Sequence, residues 1–266
     1  PVMPQVHTES GMKVHDTYKV SSPQVDGWVA VPQEVNGTIV DSDVKETVIY
    51  HKDANHDQIP DDYQVTITYR VENGGWNAGG SNTVVEILTL EKDGVPAVDG
   101  TVSYTTPEAG NAPAIGYKAG AWNVPDVPTT FTKADDNKVY IYTYAKDSFK
   151  LTVKHVYTAV DGTQTEKIIK DNADTEFETP LSYQAASAGN YTFSGVEVKG
   201  LEDTNTTPEI VEGTMPAGEV VLIFHYDEDS KGTGENPDEP DGIPDKYQVT
   251  FVYQATGKGG TVSGKT

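Results

Sequence analysis

Apolar and polar residues alternate with a period of two in several short runs. Tyr63, Val65, Ile67 and Tyr69 are interleaved with Gln64, Thr66, Thr68 and Arg70. Successive side chains of a strand point to opposite faces, so this pattern builds a strand with one apolar face. Tyr247, Val249, Phe251 and Tyr253 repeat it near the far end. Between Val139 and Tyr144, three tyrosines share one face and Val139, Ile141 and Thr143 the other. Phe149, Leu151, Val153 and His155 open a further strand, and Val220 to Tyr226 reads as the last of the same group. β-Branched and aromatic residues dominate these runs, as a pleated surface favours. Turn signals such as Gly79-Gly80, Asp93-Gly94 and Asp161-Gly162 separate them. Short helical turns are expected only near Met12 to Tyr18 and Ala173 to Phe177. The pattern predicts a mainly β protein.

The chain also repeats itself. The run Asp57-Gln58-Ile59-Pro60-Asp61-Asp62-Tyr63-Gln64-Val65-Thr66 returns as Asp241-Gly242-Ile243-Pro244-Asp245-Lys246-Tyr247-Gln248-Val249-Thr250. The flanks match as well. Gly27-Trp28 and the stretch Val48 to His51 precede the first copy, and Asn190-Tyr191 and Leu222 to Tyr226 the second. A period this long is expected of alternating small modules rather than of a solenoid. The boundaries that follow are an incomplete module over 1–51, an acidic linker over 52–61, and a β-rich module over 62–147. A second complete module spans 148–228, an acidic Gly/Pro linker 229–245, and the opening of a further module 246–266.

Composition narrows the function. The chain of 266 residues carries 19 basic and 41 acidic residues, a formal net charge of −22. Such a field repels nucleic acid and anionic lipid and favours solubility. No apolar run approaches the roughly 20 residues that cross a bilayer, so no membrane insertion is expected. Cysteine is absent, which excludes disulfide staples and thiolate ligands. No leader opens the chain, so secretion and anchoring are expected to rest on segments outside it.

These residues carry a family resemblance. Residues 148–228 open with Leu151-Thr152-Val153-Lys154-His155-Val156-Tyr157 and the turn Asp161-Gly162-Thr163. They continue through Tyr183, Asn190-Tyr191 and Gly213-Thr214-Met215, and close on Ile223-Phe224-His225-Tyr226. This resembles the MucBP (mucin-binding protein) repeat of Gram-positive surface adhesins, a ubiquitin-like β-grasp module. Residues 1–51 look like the same module without its first strand. Residues 62–147, with Trp76, Gly116-Tyr117 and Trp122, are similar to the β-rich stalk repeats that alternate with it. The resemblance implies an elongated array of such modules, extracellular and attached to the bacterial cell wall. Its implied partners are host mucin, glycans or extracellular proteins, together with neighbouring repeats.

The sharpest local chemistry is acidic. Asp53, Asn55, Asp57, the carbonyl of Ile59 and Asp61 stand at positions 1, 3, 5, 7 and 9 of an EF-hand-like loop, where alternate oxygens converge on calcium. Gln58 replaces the turn glycine and Gln64 the closing glutamate. The second copy offers Glu239, Asp241 and Asp245, with Pro237 at its first position. Calcium is thus the one cofactor the sequence suggests. Trp76, in a Gly-rich turn, is the candidate exposed sugar contact, whereas Trp28 and Trp122 read as core. A Lys–Asn cross-link would draw on Lys150 or Lys154 and Asn190, and needs a buried neutral lysine. His155 and His225 fall on the first and last strands of one module, where a metal pair is conceivable. No Cys nucleophile, Gly-x-Ser-x-Gly elbow or metalloprotease spacing is present, so no enzyme is expected. The resulting expectation is a stalk within an adhesin. Direct mucin or carbohydrate binding is the alternative, and a glycosidase-associated accessory region a remote third.

Overall fold

A computed structural model of the chain describes residues 11–186, 188–202, 205–207, 209–232, 239–249, 251, 256 and 257. Strands account for 49% and helix for 4%, so the chain is mainly β as the alternation predicted. Among the described residues no helix is long and apolar enough to cross a membrane. The chain divides into two compact units, Pro1–Ala112 with Ala119–Tyr144, and Pro113–Lys118 with Ala145–Thr266.

The first unit opens with β1 (Thr17–Ser21), β2 (Trp28–Val31), β3 (Glu34–Thr38) and β4 (Ile49–Lys52). Here β1 pairs antiparallel with β3, and β2 with β4. A single 3-10 turn, η1 (Asp61–Tyr63), leads into β5 (Gln64–Glu72) and β6 (Thr83–Thr89). The short strands β7 (Glu91–Lys92), β8 (Val95–Pro96) and β9 (Val102–Ser103) follow, then β10 (Tyr117–Trp122), β11 (Thr130–Phe131), η2 (Lys133–Asp135) and β12 (Lys138–Lys146). The main sheet has the order β10-β12-β5-β6, with β12 parallel and β6 antiparallel to β5. Period two places Val65, Ile67 and Tyr69 of β5 and Tyr140, Tyr142 and Tyr144 of β12 on one buried face with Leu90 and Phe131. The Tyr69 ring stacks on Tyr140 and Tyr104, each about 5.7 Å away.

The second unit contains β13 (Ser148–Thr158), β14 (Gln164–Glu176), β15 (Pro180–Gln184), β16 (Tyr191–Lys199), β17 (Asn205–Thr207), β18 (Ile210–Thr214) and β19 (Val220–Glu228), followed by η3 (Asp245–Tyr247). The larger sheet has the order β14-β13-β19-β16, and its first and last strands, β13 and β19, lie side by side in parallel. The smaller sheet is β15-β18-β17. Leu151, Val153, Leu222, Phe224 and Tyr226 from the larger sheet meet Leu181 and Val211 from the smaller in one core. β14 is exposed along most of its length and carries Glu166, Lys167, Lys170 and Asp171, charges that protect an edge strand from further pairing.

One expectation fails here. Neither anticipated helical piece forms: Ala173 and Thr175 pair with Leu151 and Phe149 in the β13–β14 ladder, and Thr17 and Tyr18 pair with Thr38 and Gly37. Cross-strand pairing outweighs local propensity at both. The second alternating run is not in strand at Gln248, Val249 or Phe251, and Val249 is 75% exposed. Among the described residues nothing plays for it the part that β6 and β12 play for β5; Tyr253, Thr250 and Val252 lie outside the described residues.

Strand for strand, residues 13–53 repeat the pairing of residues 176–229. Thr17↔Thr38 and Val20↔Val35 correspond to Pro180↔Thr214 and Tyr183↔Val211. Trp28↔Lys52 corresponds to Tyr191↔Glu228. The turn before the first strand agrees as well. His15 N–H donates to Ile39 O and Ile39 N–H to Asp16 O, as Glu178 N–H does to Met215 O and Met215 N–H to Thr179 O. His15 and Glu178 both take a positive φ, 77° and 63°. The earlier copy is shorter between its second and third strands.

Candidate functional site

Each copy of the four-strand pattern ends on a buried aspartate that begins an acidic loop. Asp53 is 1% exposed and Asp229 2%. Asp53 N–H donates to Gly27 O at 2.9 Å, and Asp229 N–H to Asn190 O at 2.7 Å, tying each loop to the preceding strand pair. Asp53 Oδ1 and Oδ2 accept the N–H groups of Asp57 and Gln58, both at 3.1 Å. Asp229 accepts those of Asp241 and Gly242 at 3.1 and 2.9 Å. Further along, Ile59 N–H reaches Asp57 Oδ1 at 2.9 Å, and Ile243 N–H reaches Asp241 Oδ1 at 3.0 Å. Gln64 Nε2 donates to Asp57 and Gln248 Nε2 to Asp241. Asp61 accepts from Ala54 N–H, and Asp245 from Ser230 N–H and Oγ. Both loops finish on Pro60 or Pro244 and a 3-10 turn. The residue following the first turn position has positive φ in both, 69° at Gln58 and 85° at Gly242. Glycine adopts this conformation freely, whereas Gln58 does so at a cost.

This equivalence corrects the second loop as read from sequence. Pro237 lies outside the described residues, and the place of Asp53 is taken by Asp229. Glu239 sits on the exposed approach to the loop. Asp229 escaped notice because extra residues separate it from Asp241. The signal that would have found it is Tyr-x-x-Asp, present as Tyr50-His51-Lys52-Asp53 and as Tyr226-Asp227-Glu228-Asp229.

The loop oxygens are held in hydrogen bonds to neighbouring N–H groups. Asn55 Nδ2 donates to Asp57 Oδ2 at 3.0 Å while its Oδ1 accepts Asp57 N–H at 3.3 Å, and Gln64 Nε2 donates to the same carboxylate. Among the described residues no three acidic or histidine side chains come together as a metal centre. Asp53, Asn55, Asp57, Ile59 and Asp61 are neighbours in one closed turn network. Burial pushes the Asp57 carboxyl up, but donation from Gln64, Ile59 and Asn55 outweighs it and leaves the group below its usual range. Asp245 behaves likewise, with burial opposed and outweighed by Ser230 and Lys231.

A second pair of contacts brackets each loop. His51 Nδ1 lies 3.1 Å from Asp62 Oδ2, joining β4 to η1, and the His51 ring sits 5.3 Å from Tyr63. At the matching positions Lys246 Nζ donates to Asp227 Oδ2 at 2.7 Å and lies 5.1 Å from the centre of the Tyr247 ring. The acidic and basic partners have changed sides while the contact persists. Hydrogen bonding to Asp227 raises the Lys246 ammonium pKa.

The other candidate sites do not assemble. Trp76 is 4% exposed, donates Nε1–H to Ser81 O and stacks on Trp122, so it is a core residue rather than a sugar contact. The partly exposed tryptophans are Trp28 and Trp122, the reverse of expectation. Lys150 is ion-paired with Asp174 at 2.9 Å and Lys154 with Glu166 at 2.6 Å, on the solvent side of β13. Neither is the buried neutral amine a cross-link to Asn190 needs, and Asn190 is exposed. His155 is buried in the core, whereas His225 is half-exposed beside Glu197, so the two rings face opposite sides of the sheet. A shallow depression of about 520 Å³ is lined by Trp122, Asn123, Pro125 and Tyr142. Asn123 Oδ1 there accepts Ile141 N–H and Tyr142 OH accepts Gly120 N–H, both at 2.9 Å. No protein-family model, curated protein or solved structure matches this chain.

Proposed function

We propose that the chain is a repeat region of a bacterial cell-surface adhesin and acts as a non-catalytic stalk. In this reading its modules, MucBP-like β-grasp units and a second β-rich repeat, follow one another in series outside the cell, tethered to the wall. The observation that carries the reading is the recurrence of one joining device. A four-strand pattern ends on a buried aspartate, an acidic hydrogen-bonded loop and a 3-10 turn, first at Asp53 to Tyr63 and again at Asp229 to Tyr247. An enzyme concentrates its chemistry at one place, whereas an array needs the same stiff connection at every junction. The formal charge of −22 keeps such arrays apart in water.

Stalk is preferred over direct glycan binding because Trp76, the tryptophan expected to meet sugar, is buried against Trp122 with its N–H given to Ser81, whereas a sugar platform has to face solvent. The test is a glycan array together with immobilised mucin, probed with the intact chain. Signal at background on both is the expected result. Saturable binding that is lost in Trp122→Ala would replace the stalk with the carbohydrate-binding reading.

A further inference from the structure

We propose that the free edge of β6 is a self-association surface. Its occupant is a second copy of this chain, which adds its own β6 antiparallel about a two-fold axis at Glu86. The inference goes beyond the stalk reading and does not rest on it.

β6 ends the sheet β10-β12-β5-β6, and its register with β5 decides which of its main-chain groups are free. Val71 N–H donates to Asn82 O and Leu90 N–H to Tyr63 O, which marks both as hydrogen-bonded pairs of the ladder. Such pairs recur at every second residue of an antiparallel ladder. Val84, Glu86 and Leu88 therefore turn their N–H and C=O groups toward β5, whereas Thr83, Val85, Ile87 and Thr89 turn theirs away. Among the described residues, the one hydrogen bond on this outward row is from Thr83 N–H to Ser81 Oγ at 3.3 Å. The side chains of the same four residues form the outer face, with Val85 57% and Ile87 51% exposed. No charge, proline or bulge interrupts that face. The edge strand β14, by contrast, carries Glu166, Lys167, Lys170 and Asp171. β6 lacks the outward charges that ordinarily keep such an edge from pairing.

The order of the residues names the occupant. Thr83-Val84-Val85-Glu86-Ile87-Leu88-Thr89 has the same chemistry read in either direction from Glu86. An antiparallel pair with its axis there sets Thr83 opposite Thr89, Val84 opposite Leu88, and Val85 opposite Ile87 of the other copy. The outward N–H and C=O groups then meet their complements, and β-branched residues face one another on the exposed side, a pairing that stabilises sheets. A second copy supplies this match by symmetry. One effect opposes it. The axis sets Glu86 opposite its own copy, and like charges directly opposite destabilise a strand pair. Tyr104 OH donates to Glu86 Oε1 at 2.8 Å and takes up part of that charge. A joint of one strand, about 24 Å long, also buries less than the roughly 1,200 Å² of a stable interface. The contact is therefore weak and reversible, and a neutral residue at position 86 strengthens it.

Sedimentation equilibrium of the intact chain is expected to show monomer and dimer in exchange. The dimer should tighten by about tenfold between about 0.15 M and 1 M salt, because each copy carries −22 and the joint contains no ion pair. Glu86→Gln should tighten it about fivefold at fixed salt. Ile87→Pro removes an outward N–H and leaves every bond to β5 in place, so it should abolish the dimer. Val85→Lys, at an exposed position, should do the same with the backbone intact. The chain has no cysteine, so Glu86→Cys places a single thiol at the axis. Air oxidation should convert this variant to a disulfide-linked dimer, whereas Val95→Cys, at a position 62% exposed on β8, should stay monomeric. Three results would each overturn the proposal: a monomer at every concentration and salt, a dimer that survives both Ile87→Pro and Val85→Lys, or equal cross-linking of the two cysteine variants.

Discussion

Asp53 shows how much one buried carboxylate organises. Its two oxygens hold the N–H groups of Asp57 and Gln58, the first of them shared with Asn55 Oδ1 at 3.3 Å. Asp53→Ala should therefore leave the Gln58 N–H without its acceptor and weaken the hold on Asp57 N–H, at a cost of about 1 kcal/mol. Urea titration checks this, and Asp229→Ala should give a loss of the same size if the two loops are equivalent. His155 is the other informative residue. Tyr226 OH accepts Ala186 N–H at 2.8 Å and hydrogen-bonds His155 Nδ1 at 2.9 Å. Burial, and secondarily Lys167 across the ladder, lower the His155 pKa from its ordinary value. The unfolded chain then binds the proton more readily than the folded one. The stabilisation is complete above about pH 6.5 and is lost as pH falls from there through the lowered folded value. Denaturation of His155→Gln should show a flatter dependence across that window than the parent. Carboxylates begin to contribute only lower, near about pH 4.

Among the elements, the junction between the last strand and the 3-10 turn is the part most open to measurement. The pairs His51–Asp62 and Asp227–Lys246 occupy the same two positions with polarity exchanged. The position thus tolerates either arrangement provided the partners complement each other. A double-mutant cycle on Asp227→Asn and Lys246→Gln should give a favourable but small coupling, because Lys246 remains in solvent. Exchanging the partners, Asp227→Lys with Lys246→Asp, should restore most of the stability that Lys246→Asp alone removes. Zero coupling would reduce the contact to coincidence.

Over the whole molecule, charge is the dominant long-range term. A formal net charge of −22 on 266 residues opposes compaction, and the ion pairs are mostly at the surface. Salt shortens the reach of this repulsion, to about 10 Å at 0.1 M and 3 Å at 1 M. The melting temperature should accordingly rise between low salt and roughly physiological salt. A fall on adding salt would mean that the surface pairs outweigh the repulsion. The same field disfavours nucleic acid and anionic lipid as partners, which fits the adhesin proposal.

What could be read without coordinates was whatever depends on near neighbours in the chain. Alternation at Tyr63 to Tyr69 and at Val139 to Tyr144 gave strands and their buried faces, because side-chain direction in a strand alternates with sequence. The recurring Asp-x-Ile-Pro-Asp run gave the repeat and the place of both loops. What needed the tertiary structure was whatever depends on partners distant in sequence. The burial of Trp76 is settled by the Trp122 ring and the Ser81 carbonyl, not by its Gly-rich surroundings. Asp229 became the equal of Asp53 only through N–H groups that reach it from beyond an insertion. Val249 and Val65 sit in nearly the same local sequence, yet one is 75% exposed and the other fully buried. Local pattern determines which way a side chain points; only the strands packed against it decide whether water is removed.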